Sequence, residues 1–250
     1  MTADTAATAP VDPARAPSAA PRLRYVRPQL NPRAIDQRLY FFLQPDDPVC
    51  DVYREMAHHT LANAEGGRRL LVTSPRRGAG RTTVALNLAS AFAEEGRASV
   101  VDCCLRRPAI ARSFGFRAFQ GLAAATADRR RSDSAATDLV LVADRLSALF
   151  IEERAPANLF GAPEVRAILD DLASVSDVVL LDGPPALEGD SLGAVADLAE
   201  GIILVLEPAD LASGDYERTL TRLEGRHIVG ALINDRGLGT LSQGPVPSST

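Results

Sequence analysis

Arg69-Leu-Leu-Val-Thr-Ser-Pro-Arg-Arg-Gly-Ala-Gly-Arg-Thr-Thr83 is the stretch on which the reading of this chain turns. Its first five residues form a short apolar run, as a buried strand does. One Pro and two Gly then interrupt regular structure. From residue 82 to 95 apolar residues return at helical spacing. Strand, glycine loop and helix, in that order, suit a phosphate. The strand end delivers a loop whose amides turn inward, and Gly lets backbone approach anionic oxygen. The helix N-terminus adds the positive end of its dipole.

Against the phosphate-loop pattern G-x-x-x-x-G-K-[ST], two positions depart. The first Gly is Ser74 and the Lys is Arg81. Arg keeps the charge but is bulkier and planar. The hydroxyl of Thr82 sits where such loops place Ser or Thr on Mg²⁺. Taken alone, the stretch is also compatible with a Gly-bearing turn ahead of an ordinary helix.

Outward from the loop, strand and helix alternate. Strands are expected at 98–102, 177–182, 201–206 and 227–233, and helices at 48–61, 162–172 and 214–223. Continuous apolar strands separated by helices predict an α/β fold, a doubly wound parallel sheet covered on both faces. Residues 1–36, rich in Pro, Ala and Arg, read as a disordered arm. Residues 37–65 read as a helical lead-in, 66–236 as the nucleotide-binding domain and 237–250 as a flexible tail.

Two further strands end in acid, at Asp102 and Asp182. Ligands of parallel sheets bind beyond the carboxyl ends of strands, so these carboxylates are expected to face the loop. One would hold Mg²⁺ and one would activate the attacking group. The competing reading is that each Asp caps the helix after it.

Composition narrows the partners. The 250 residues carry a net charge of −5, with no basic stripe, which predicts no nucleic-acid partner. All 27 basic residues are Arg. Cys50, Cys103 and Cys104 make a poor disulfide framework and read as reduced, buried thiols. The N-terminal residues lack the pattern of a secretory signal, and no apolar run reaches the length of a membrane span. His58 and His59 read as surface residues, and Arg129 to Arg131 as a solvated loop.

Three stretches then stand together: the loop, Val100-Val-Asp-Cys-Cys-Leu-Arg-Arg-Pro108 and Val178-Val-Leu-Leu-Asp-Gly-Pro-Pro185. The set resembles the cytoplasmic domain of bacterial tyrosine kinases of capsule and exopolysaccharide export, within the deviant Walker P-loop group that includes partition and division-site ATPases. That family reads roughly as SPxxGxGKST, an apolar strand with DxDxR, and another with DxxP. Asp51-Val-Tyr53-Arg54, Arg107 to Gly115, Gly121-Leu122, Pro156 to Phe160 and Ile233-Asn234 resemble further family segments, so the likeness spans about residues 50 to 236.

The resemblance implies ATP and Mg²⁺ as ligands. Ser74, Gly78, Ala79, Gly80, Arg81, Thr82 and Thr83 would form the phosphate cradle, with Arg81 in the catalytic Lys position. Arg76 falls where partition ATPases carry a signature Lys. Thr82, Asp102 and Asp182 would serve the metal. Asp102 would be the catalytic carboxylate, Asp182 the Walker B carboxylate, and Asn234 would touch adenine. The second Asp of DxDxR is Cys104, which is no hard donor for Mg²⁺. The oligomer-forming pattern ExxRxxR appears as Asp51, Arg54 and Ala57. The family ends in a Tyr cluster, whereas Tyr occurs here only at 25, 40, 53 and 216. The expected function is therefore an ATP-binding, tyrosine-kinase-like protein with reduced catalysis. A pseudokinase scaffold and a partition-type ATPase are the alternatives. The implied partner is the cytoplasmic tail of an integral-membrane, Wzz-like polysaccharide co-polymerase. The implied location is cytoplasmic, peripheral to the inner membrane through that partner, with a homo-oligomer as a further expectation.

Overall fold

The computed structural model describes residues 21–116, 121–132 and 134–235, and the backbone of 241–242. Its strands are β1 Leu23–Val26, β2 Arg69–Thr73, β3 Ala98–Asp102, β4 Thr137–Leu141, β5 Leu146–Leu149, β6 Val178–Asp182, β7 Gly201–Leu206, β8 Ile228–Asn234 and β9 Leu241–Ser242. Its helices are α1 Tyr40–Leu43, α2 Pro48–Asn63, α3 Arg81–Glu95, α4 Ile110–Ser113, α5 Leu122–Arg131, α6 Pro163–Val175, α7 Leu192–Ala196, α8 Pro208–Ala212 and α9 Asp215–Arg222.

Among the described residues, the strands form one sheet in the order β1-β4-β5-β3-β6-β2-β7-β8-β9. The six inner strands from β5 to β8 are mutually parallel. Every residue of β2, β3 and β6 is buried, because their side chains alternate into two cores. Leu70, Val72, Val100 and Leu180 enter the core shared with α2 and α3. Leu71, Val101, Val179 and Leu181 enter the opposite core, shared with α5, α6 and α7. Burying one such aliphatic side chain contributes about 1.5–3 kcal/mol. The expected doubly wound α/β fold is therefore present.

The edges correct the purely parallel expectation. β4 runs antiparallel to β5, β1 lies parallel to β4, and β9 runs antiparallel to β8. The Val140–Ala148 and Leu141–Ser147 pairs make a short hairpin with a turn at Ala143 and Asp144. The arm read as disordered contributes β1, tied to β4 by backbone pairing and by the Arg24–Asp138 ion pair at 2.6 Å. Residues 1–20 of that reading lie outside the described residues, as does most of 237–250.

The lead-in shares its core with the sheet. Leu39, Tyr53, Met56 and Ala57 are buried in the same cluster as α3. Asn87, buried in α3, accepts from the Tyr40 amide at 3.0 Å and donates to Arg38 O at 2.8 Å. Arg129 to Arg131 end helix α5 rather than forming a solvated loop. Arg129 is buried and paired with Asp171 at 2.6 Å. An apolar helix face had to bury the Arg stem, and a carboxylate nearby made the head group tolerable. No helix among the described residues is long and apolar enough to cross a membrane.

Candidate nucleotide and metal site

Strand order alone brings the site together. β6 lies between β2 and β3, so the loop after β2, Asp182 at the end of β6 and Asp102 at the end of β3 stand side by side. Val72 is in register with Asp182, and Asp182 with Asp102. This is the crevice at the carboxyl ends of parallel strands where such folds bind ligands.

The loop is braced by the segment after β6. Ser74 O accepts from the Ala186 amide at 2.7 Å, and Pro75 O from the Leu187 amide at 2.9 Å. Thr73 Oγ1 donates to Pro184 O at 2.7 Å, and Arg77 pairs with Glu188 at 2.7 Å. Gly80, at φ +87°, precedes α3 in the left-handed region that favours glycine. A Cβ there would lie 2.4 Å from Asn234 Nδ2. Asn234 donates to Ala79 O at 2.9 Å and so braces this loop.

Thr82 Oγ1 donates to Asp182 Oδ2 at 2.7 Å. The other oxygen, Oδ1, is fully buried and has no hydrogen-bond partner among the described residues. Asp102 is tied differently. Its Oδ1 accepts from the Cys104 amide at 3.0 Å, and its Oδ2 from the amides of Ala109 at 2.7 Å and Ile110 at 3.0 Å. Asp102 thus accepts the first amides of α4, although the N-cap residue of that helix is Ala109, whereas Asp182 accepts from the Thr82 hydroxyl.

Burial of both carboxyls pushes their pKa values up, as burial disfavours the charged form. For Asp182 the nearby Asp102 adds to this, while Arg81 and the Thr82 hydroxyl oppose it. The three amides oppose it for Asp102. Burial, with the two acids, also pushes the Cys104 thiol up. Its Sγ donates to Gly183 O at 3.1 Å.

The remaining expected residues divide. Arg81 reaches back to Ser74, its NH1 donating to Ser74 Oγ at 3.1 Å, with Nε buried and without a partner among the described residues. Ser74 Oγ itself donates to Arg76 O at 2.6 Å. Thr83 lies in the first turn of α3, where its carbonyl accepts from Asn87. Arg76 is not directed at the crevice. It is paired with the buried Asp215 of α9, which also holds Arg218 at 2.9 Å. Asp215, Glu188 and the bracing carbonyls carried no sequence signal beyond the Gly-Pro-Pro after Asp182.

These residues fit Mg²⁺ beside a phosphate. An orphaned carboxylate oxygen, a hydroxyl and a second carboxylate are hard donors, and the glycine loop supplies the amides. The protonated Cys104 thiol adds no donor to that set. One consequence concerns pH. Both acids titrate higher in the folded chain than in the unfolded one, so their contribution to stability is complete below the unfolded value of about 4. It is lost as pH rises through the folded values. Without Mg²⁺, the melting temperature is therefore expected to fall across the mildly acidic to neutral range. Added Mg²⁺ should flatten that fall, which calorimetric melts at several pH values would read.

The chain has the α/β fold of P-loop proteins of the deviant Walker class. Solved structures agree on the fold. The chimerical protein CapA2B2 superposes with a TM-score of 0.69 at 18% identity, covering 87% of this chain and 94% of that one. The BceF tyrosine kinase domain gives 0.64 at 24% identity, covering 80% and 84%. The septum site-determining protein MinD of Pyrococcus horikoshii, complexed with Mg-ADP, gives 0.52 at 20% identity, covering 68% and 71%.

Within that class the chain is similar to bacterial tyrosine-protein kinases. It is 27% identical over 203 residues to EpsB of Ralstonia solanacearum, which bears the name of a tyrosine-protein kinase; the match covers 80% of this chain and 27% of EpsB. It is 22% identical over 224 residues to the tyrosine-protein kinase YwqD of Bacillus subtilis, covering 88% and 90%. The chain spans about a quarter of the length of the first two curated relatives it matches. No protein-family model matches it.

Proposed function

We propose that this domain binds Mg²⁺-ATP in the crevice between Gly80 and Asp182 and serves exopolysaccharide synthesis or export as a tyrosine-kinase-like module with slow phosphoryl transfer. The observation that carries this is the Thr82 Oγ1–Asp182 Oδ2 contact at 2.7 Å beside a buried Asp182 Oδ1 that has no partner among the described residues. Thr82 and Asp182 would hold the metal, with Asp102 adjacent, and the amides from Gly78 to Thr82 would receive phosphate oxygens. When bound, Mg²⁺ would neutralise charge on the phosphates.

Slow transfer follows from what the chain's own residues do. Arg81 engages Ser74 Oγ with its NH1 and is bulkier and planar where the family carries a compact Lys. Both oxygens of Asp102 are engaged by the amides of Cys104, Ala109 and Ile110, so an incoming hydroxyl must compete with them for its proton acceptor. Cys104 supplies no carboxylate. The same three observations support the pseudokinase reading, in which nucleotide binding outlasts transfer. They give no support to a partition-type ATPase, for which Arg76 would need to be free of Asp215.

Partners follow by resemblance. The cytoplasmic tail of a Wzz-like membrane co-polymerase would complete or regulate the site and keep the domain at the membrane. Self-association through α2 has weak support, because Arg54 is engaged by Glu94 and Asp51 of its own chain at 2.7 Å each, and Ala57 is buried.

Titration calorimetry with ATP, with and without Mg²⁺, tests the binding. Heat that depends on Mg²⁺ is the expected result, and none at millimolar ATP would overturn it. For turnover, the double change Cys104→Asp with Arg81→Lys is expected to raise phosphoryl transfer roughly tenfold or more, the scale on which a single preorganised charged group matters. A phosphate-release assay with and without a Tyr-containing peptide checks this. No gain would place the catalytic deficit elsewhere.

A further inference from the structure

We propose that Asp102, Cys104 and Asp182 form a cation site that prefers a thiophilic divalent ion of the Zn²⁺ type, and that such an ion competes with Mg²⁺ and so regulates the crevice. This rests on reading the crevice as a Mg²⁺-nucleotide site, and deepens it.

One ligand atom from each of the three residues lies within 4.8 Å of the other two. A cluster of this kind is common without an ion, so a second observation decides. Asp182 is fully buried, and its Oδ1 has no hydrogen-bond partner among the described residues. Such an atom is costly unless something else satisfies it. Among the described residues Asp102 Oδ1 accepts one amide, which leaves it a lone pair. Cys104 Sγ faces the same ground, since it donates to Gly183 O beside Asp182. Cys103 does not. Its Sγ lies 3.7 Å from Val101 O, inside the apolar core on the other side of the strand.

Donor type then selects the ion. Mg²⁺ demands about six oxygen donors in near-octahedral array and gains little from sulfur. Zn²⁺ accepts sulfur and carboxylate oxygen in four-coordinate sites, commonly from three protein ligands with one position open. Two carboxylates and one sulfur supply that set. On binding, the thiol proton leaves to solvent, the bond to Gly183 O breaks, and a metal–sulfur bond forms. No electron transfer is involved. The ion would occupy Asp182, which the Mg²⁺-nucleotide also needs, so the two would exclude one another.

The test uses the whole reduced, metal-free chain with Co²⁺ alone as probe. Thiolate ligation of Co²⁺ gives a near-ultraviolet charge-transfer band. The expected result is a band that Zn²⁺ bleaches, that Cys103→Ser retains and that Cys104→Ser loses. Asp182→Asn, which keeps the thiol, should weaken Co²⁺ affinity roughly tenfold or more, the scale on which even outer-sphere partners matter. This arm keeps the proposal testable if Cys104→Ser fails to fold. No band in the parent chain, or a band surviving Cys104→Ser, would overturn it. Calorimetry with Mg²⁺-ATP on the same preparation separates the two readings. Mg²⁺-ATP binding without a band defeats only the thiophilic site, and absence of both defeats the nucleotide reading as well.

Discussion

Asp182→Asn is expected to weaken Mg²⁺-dependent nucleotide binding roughly tenfold to a hundredfold while making the ligand-free domain more stable. The two effects have one cause. Asp182 is buried beside Asp102, its pKa is raised by burial and by that neighbour, and one of its oxygens has no partner among the described residues. As pH rises to neutral and beyond, the ligand-free fold therefore carries an increasingly unfavourable carboxylate pair. Asn removes the charge yet can still accept from the Thr82 hydroxyl. The gain is of order 1 kcal/mol, which for a domain of this size raises the melting temperature by about 2–4 °C. The metal loses its charged ligand. A charged interaction of about 1.5–3 kcal/mol corresponds to roughly a tenfold to hundredfold loss of affinity. Thermal melts with and without Mg²⁺-ATP read both numbers. If the variant were less stable without ligand and bound Mg²⁺-ATP normally, Asp182 would be a structural acid only.

Gly80→Ala is expected to disable the phosphate loop. The residue sits at φ +87°, which costs an L-residue about 1–2 kcal/mol. Its new Cβ would also meet Asn234 Nδ2 at 2.4 Å, and this displaces the bond from Asn234 to Ala79 O, a further loss of about 1 kcal/mol. The sum lowers the melting temperature by about 5–10 °C, and nucleotide binding goes with it. Gly189→Ala is the control. Gly189 has φ +92° with nothing within 4 Å of a Cβ, so it carries the backbone term without the collision. It should lose stability by the smaller amount and keep nucleotide binding. Equal losses in both variants would mean that Asn234 has no part in holding the loop.

The parts of the molecule legible in sequence share one property: their signal is local. The apolar runs of β2, β3, β6 and β7 are buried on both faces, so each is recognisable without its partners. The loop, Thr82, Asp102 and Asp182 follow because strand ends and glycine punctuate the chain at those places. β1 was hidden for the opposite reason. It has four residues, half of them exposed, and is held by backbone pairing and the Arg24–Asp138 ion pair rather than by apolar burial. The β4–β5 hairpin is short, and its direction depends on which strand it meets. Asn234 was placed in the right crevice, but its contact with Ala79 is set by the close approach at Gly80, which spacing does not report. The pairing of Arg76 with a buried acid 139 positions away is likewise beyond what spacing reports. The solvated reading of Arg129 failed, since Asp171 makes burial of a charge run tolerable.

A crystal structure of the domain grown with Mn²⁺ and a non-hydrolysable ATP analogue tests the central claim most directly. The account predicts anomalous density at coordination distance from Thr82 Oγ1 and Asp182, with the phosphate oxygens on the amides between Gly78 and Thr82. Phosphates bound elsewhere, or a metal peak remote from Asp182, would contradict it.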